Sequence, residues 1–151
     1  PPPVEKTYKP IKEILALKGD AARGKTVAAR CYMCHHIDGT GIEYGPNLTD
    51  YGKTQTTEVM AQAIINPAAD ISHGYDSHQI ETKDGIKIQG RLLSAGDPLV
   101  IQSMGGLTQT VPKSRVKSQG KIAGSLMMSA AQQGLTGQDI ADLVTYLKSI
   151  K

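Results

Sequence analysis

Cys31-Tyr32-Met33-Cys34-His35 is the stretch from which the rest of the chain is read. Two cysteines separated by two residues and followed at once by a histidine form the attachment signature of a c-type haem, in which the thiols become thioethers and the imidazole binds iron. Wound as a helix, Cys31, Cys34 and His35 fall at i, i+3 and i+4 and share one face, which is what a planar porphyrin needs. Other chemistries fit the five residues less well. A thioredoxin-like dithiol sits after a strand, at the start of a helix, whereas this pair follows a helix-like run. A zinc site built with His73 and His78 would need a gap far longer than finger spacings. A disulfide across two residues would be strained and leaves His35 unexplained.

Upstream of the motif, Asp20 is a good N-cap for a helix from Ala21 to about Arg30. Gly24, three residues before Val27, gives that helix a flat spot where a second helix can approach closely. Before it, Ile11, Ile14, Leu15 and Leu17 form at most one apolar turn, and residues 1–10, ending in Lys9-Pro10, read as extended. Residues 1–18 are therefore taken as an extended lead-in or tether, with Pro1-Pro2-Pro3 a polyproline tether or processing boundary. Residues 19–151 are taken as one domain.

Downstream, Gly39, Gly41 and Gly45-Pro46-Asn47-Leu48 describe a loop with fixed bends. A haem-ligating imidazole usually donates its other nitrogen to a backbone carbonyl, and the carbonyl of Pro46 is the candidate. Residues 56–66 predict an amphipathic helix capped by Thr56 or Thr57, with Val59, Met60, Ala63 and Ile64 on one side and Asn66-Pro67 at its end. Met60 is assigned to the core. The segment from about 75 to 118 alternates with period two, with turns at Asp84-Gly85 and Met104-Gly105-Gly106, and predicts an insert of four short antiparallel strands. Lys113, Arg115, Lys117 and Lys121 make a loose basic patch, read as a solvated edge. Thr136 and Asp139 form a capping pair for a last helix with an Ile140, Leu143, Val144, Leu147 stripe, and Tyr146 on it can pack across Gly24.

Composition sets limits. Six Tyr with no Phe and no Trp in 151 residues is a core poor in large side chains, and a haem would supply apolar volume. A formal net charge of +3 is mild and falls short of the clustered basic stripe that nucleic-acid binding requires. No run of about 18 apolar residues marks a membrane span.

Gly24-Lys25-Thr26-Val27, the cysteine–histidine motif, Gly45-Pro46-Asn47-Leu48, a methionine-bearing loop and a final helix holding Asp142 to Leu147 resemble, in that order, a monohaem class I cytochrome c. More narrowly, Gly19 to Gly24, Asn66-Pro67, Ile71-Ser72-His73-Gly74-Tyr75, the strand-rich insert and Ser125-Leu126-Met127 are similar to haem-binding domains found alone or fused to large exported bacterial dehydrogenase-like proteins. The resemblance implies a mainly α fold, that of class I cytochromes c, with a small antiparallel sheet inserted before the methionine loop. It implies haem c, covalently attached, with Cys31, Cys34, His35, Pro46, Asn47, Tyr75 and Met127 at the cofactor. The metal ligands would be His35 and Met127, with Met128, which stands where the family commonly has proline, as the alternative. His36, His73, His78 and Met104 are the other candidate sixth ligands. The family's aromatic after the helix valine is Ala28 here.

The function so implied is electron transfer by a carrier that is not itself an enzyme, though it could serve as the haem module of a larger dehydrogenase. Redox partners would be an exported dehydrogenase as donor and a cytochrome or oxidase as acceptor. A monomer in the periplasm or on the outer face of the membrane is expected. The alternative is a haem-based sensor with a displaceable sixth ligand. No nucleophile–base or carboxylate pair emerges; Asp38, Glu43 and Asp50 read as solvated loop residues.

Overall fold

The computed structural model describes residues 7–151; the Pro1-Pro2-Pro3 segment lies outside the described residues. Among the described residues five α-helices, α1 (Ile11–Leu15), α2 (Ala21–Ala28), α3 (Tyr51–Thr54), α4 (Thr57–Ile65) and α5 (Gly137–Ser149), are accompanied by seven strands. Two form a small hairpin, β1 (His36–Ile37) and β2 (Thr40–Gly41); five form a sheet, β3 (His78–Thr82), β4 (Lys87–Ser94), β5 (Leu99–Gln102), β6 (Thr108–Val111) and β7 (Val116–Lys121). The expected mainly α fold is not what is found, because only about a third of the chain is helical and the sheet is large.

The terminal helices form the frame. The Asp20 side chain accepts from the Arg23 amide to start α2, and α5 opens with a full capping box between Thr136 and Asp139. Both caps satisfy amides that the first helical turn leaves without partners. At the crossing, a Cβ on Gly24 would overlap the Asp142 carbonyl oxygen and come 2.7 Å from Tyr146 Cβ, so the backbones meet where only hydrogen fits. Asp142, 2% exposed, locks the same joint. It accepts from the Asp20 amide at 2.8 Å, Arg23 Nε at 2.8 Å and Gln138 Nε2 at 2.9 Å. The Arg23 bonds, ahead of the others, hold its carboxyl below the usual carboxylate range.

The lead-in is packed from Ile11 onward rather than extended: α1 buries Ile14 to 2% exposure in the main core. One turn of helix is not stable alone, so this order comes from the apolar surface it covers. Thr56 caps α4 as expected, yet Val59 is 44% exposed, and the buried side is Met60, Ala61 and Ile64.

The insert has five strands, in the order β6-β5-β4-β3-β7, all neighbours antiparallel. It builds a second core of Ile80, Leu99, Ile101 and Val111, separate from the helical one. The fifth strand, β7, came from residues read as a basic patch. It is an edge strand with little apolar alternation, so its state is set by ladder bonds to β3. Its basic residues are matched across β3 and the adjoining turns: Lys117 to Glu81 at 3.1 Å, Lys121 to Asp76 at 3.2 Å, and Arg115, just before β7, to Asp84 at 3.9 Å.

Candidate functional site

The end of α2 aims the motif. The helix tightens to a 3-10 turn over Ala29–Cys31, and the Cys31 carbonyl then accepts from the amides of Cys34 at 3.0 Å and His35 at 2.8 Å. This extra turn leaves Cys31, Cys34 and His35 lining one cleft. The following loop folds back onto it, with the Ile42 amide donating to the Tyr32 carbonyl at 2.9 Å and the Tyr44 amide to the Cys34 carbonyl at 3.0 Å. The β1–β2 turn that allows the reversal has both central residues at positive φ, Asp38 at 47° and Gly39 at 84°, as a two-residue hairpin loop demands.

The His35 ring, 6% exposed, is held on two sides. Its Nδ1 lies 2.6 Å from the Pro46 carbonyl oxygen, the partner expected from sequence. With that proton on Nδ1 donated to the carbonyl, Nε2 keeps the lone pair a metal requires. Gly45 presses its bare backbone against the ring; a Cβ there would come 2.5 Å from His35 Cε1. Burial lowers the His35 pKa, opposed by the Pro46 bond, so the neutral imidazole is favoured near pH 7.

The cleft encloses about 1110 Å³, including its part open to solvent. Met60, Ile64, Leu143 and Leu147 give it apolar walls, and Tyr75 and Met127 also line it. Met60 therefore borders the cleft as well as the core. Tyr44 and Tyr51, which no spacing pattern singled out, line it too. Neither cysteine is paired in a disulfide; burial, ahead of the neighbouring Cys34, pushes the Cys31 thiol up to about 11, and burial likewise raises Cys34. They are thus uncharged sulfurs against an apolar wall.

Of the two adjacent methionines, Met127 lines the cleft, whereas Met128 is 43% exposed and its carbonyl accepts from Gln133 Nε2 at 2.7 Å. Asn47 is not a lining residue. It is exposed and ties the loop, its Oδ1 accepting from the Thr49 amide at 2.9 Å and its Nδ2 lying 3.3 Å from His36 Nδ1. The remaining candidate ligands lie elsewhere. His73 is exposed, Met104 is 47% exposed in the β5–β6 turn, and His78 sits in β3 with its Nε2 2.7 Å from Gln119 Oε1. Among the described residues no group of three or more His, Cys, Asp or Glu could hold a metal ion, so the cysteines and His73 and His78 do not assemble a zinc site.

One imidazole with a free Nε2, two uncharged thiols spaced as a pair and a thioether, set in apolar walls, are a donor set that fits haem. Residues 21–91 match the family model of cytochrome c, from the first residue of α2 into β4. Over those residues the chain is similar to cytochrome c. The cofactor of such a domain is haem c with its iron, covalently attached. No curated protein matches the chain. The matched region holds the motif, the Pro46 loop and α4, while Met127 and α5 return to the cleft from beyond the sheet. No helix among the described residues is long and apolar enough to cross a membrane.

Proposed function

We propose that this protein is a single-electron carrier whose haem would be held through Cys31 and Cys34, with His35 and Met127 as the residues that would bind its iron. The observation that carries the reading is that an imidazole oriented by Pro46 and a methionine from a segment 92 positions later line the same apolar cleft. The cofactor supplies a one-electron ferric/ferrous couple, and thioether ligation favours the reduced state. The protein's part is to hold the ring of His35 in one tautomer, exclude water with the Met60, Ile64 and Leu147 walls, and fill the sixth position. With both residues on the iron, no place would be left for a substrate, which argues for a carrier over an enzyme.

On the same reading, residues 19–151 form one cytochrome domain interrupted by the sheet, and it works as a monomer in the periplasm or on the outer face of the membrane. Its donor is an exported dehydrogenase and its acceptor another cytochrome or an oxidase. The decisive test replaces Met127 and Met128 by Leu separately and records the near-infrared charge-transfer band of the ferric protein. Loss of the band in Met127→Leu alone supports the assignment. Loss only in Met128→Leu overturns it, and a high-spin ferric wild type that binds CO readily points instead to a sensor.

A further inference from the structure

Arg91 links the sheet to a residue that lines the cleft. Tyr75, which lines the cleft, lies in the segment leading into β3. Over its ring, with Cζ 4.1 Å from the centroid, sits the guanidinium of Arg91 from β4. The same side chain donates from Nε to the Gly74 carbonyl oxygen at 3.1 Å. Two contacts on consecutive residues leave the Arg91 head group little freedom, and a stacked cation is attracted to the negative face of the ring.

The strand behind Arg91 is rigid. Arg91 pairs in register with Gln102 of β5, and its neighbour Gly90 pairs with His78 of β3. A Cβ on Gly90 would overlap the Gln102 carbonyl oxygen, so β4 and β5 close at the level where Arg91 emerges. Among the described residues no carboxylate lies within ion-pair range of Arg91, although Arg115, Lys117 and Lys121 of the same insert all have one. A fixed cation beside an apolar cleft, without a counter-ion, acts on whatever charge changes inside it.

We propose that Arg91 is a positioning residue by which the inserted sheet holds Tyr75 against the haem and biases the iron toward the ferrous state. Its two effects are separable: the stack places the phenol ring, and the charge opposes the extra positive charge of ferric iron. This inference rests on the haem being bound in this cleft, but not on Met127 being the sixth ligand, since a covalently held haem has a measurable potential with any ligand there.

The test is spectroelectrochemical titration of the purified holoprotein and its Arg91→Gln, Arg91→Lys and Tyr75→Leu variants, with the near-infrared spectrum of each. Arg91→Gln removes the charge and keeps an amide able to reach the Gly74 carbonyl. At the wild-type midpoint its ferrous-to-ferric ratio is expected to fall by about threefold or more, a shift of about 28 mV at 59 mV per tenfold for one electron. Arg91→Lys retains the charge and is expected to recover most of that ratio, which a merely structural role would not predict because lysine lacks the planar stack. Tyr75→Leu should alter the haem spectrum. An unchanged ratio in Arg91→Gln overturns the proposal, as does an equal fall in Arg91→Lys. Absence of the methionine band from every variant and the wild type would instead overturn the ligand assignment alone.

Discussion

Gly24→Ala sets two known effects against each other at the α2–α5 crossing. In an exposed helix interior the change favours the helix by about 1 kcal/mol. Here the added Cβ would overlap the Asp142 carbonyl oxygen and lie 2.6 Å from its carbon and 2.7 Å from Tyr146 Cβ. Two of these are backbone atoms of a helix that is buried at Ile140, Ala141, Asp142, Leu143 and Val144. They cannot swing aside as a side chain tip would, so α2 must move off α5, straining the Asp20 and Arg23 bonds to Asp142. Overpacking of this kind costs about 1–3 kcal/mol and more where backbone is involved. We take about 4 kcal/mol and expect a net loss of about 3 kcal/mol after the helix gain. Urea unfolding of the holoprotein, followed by circular dichroism, measures it. Gly137→Ala is the control, because a Cβ there meets only Ile14 Cγ1 at an ordinary 3.7 Å; it should be neutral or mildly stabilising. A Gly24→Ala protein as stable as wild type, with α2 and α5 still in place, would refute the close-packing argument.

Three further outcomes are expected. Asp142→Asn should destabilise by about 1–3 kcal/mol, since a buried acceptor of several bonds is replaced by a group that also donates; because the folded carboxyl is held low chiefly by Arg23, wild type should lose stability as pH falls below the usual carboxylate range near 4, and the variant should lose less over that interval in acid titrations. Gly45→Ala should push against the His35 ring and weaken its bond to Pro46, seen as a changed haem absorption spectrum at unchanged haem content. Thr136→Val should cost about 1 kcal/mol in thermal or urea unfolding by removing one half of the α5 capping box.

Much of the local structure was legible because it depends on neighbours in sequence. The caps at Asp20, Thr56 and Thr136 each satisfy an amide three residues on, so residue type and spacing suffice. The Asp84-Gly85 and Gly105-Gly106 turns depend on residues that accept positive φ, and Gly85, Gly105 and Gly106 have φ of 88°, 85° and 87°. The failures are those where the partner is distant. β7 is polar and takes its state from β3, more than thirty residues earlier. Period alone puts Val59 on the buried face, and the packing of α4 chooses the Ala61 side instead.

The site divides the same way. Cys31, Cys34 and His35 are spaced for one turn of helix, and a carbonyl without its own amide, at Pro46, stands eleven residues on; short-range geometry made both readable in the sequence by itself. Which methionine faces the cleft, that Asn47 turns to the loop, and that Arg91 reaches Tyr75 were decided by the tertiary structure. Met127 and Met128 are neighbours with the same chemistry, and nothing in their order says which side of the loop is inside. That follows only once Ser77 Oγ donates to the Gly124 carbonyl at 3.0 Å and the Ile122 amide to the Ser77 carbonyl at 3.0 Å, fixing how the loop leaves the sheet.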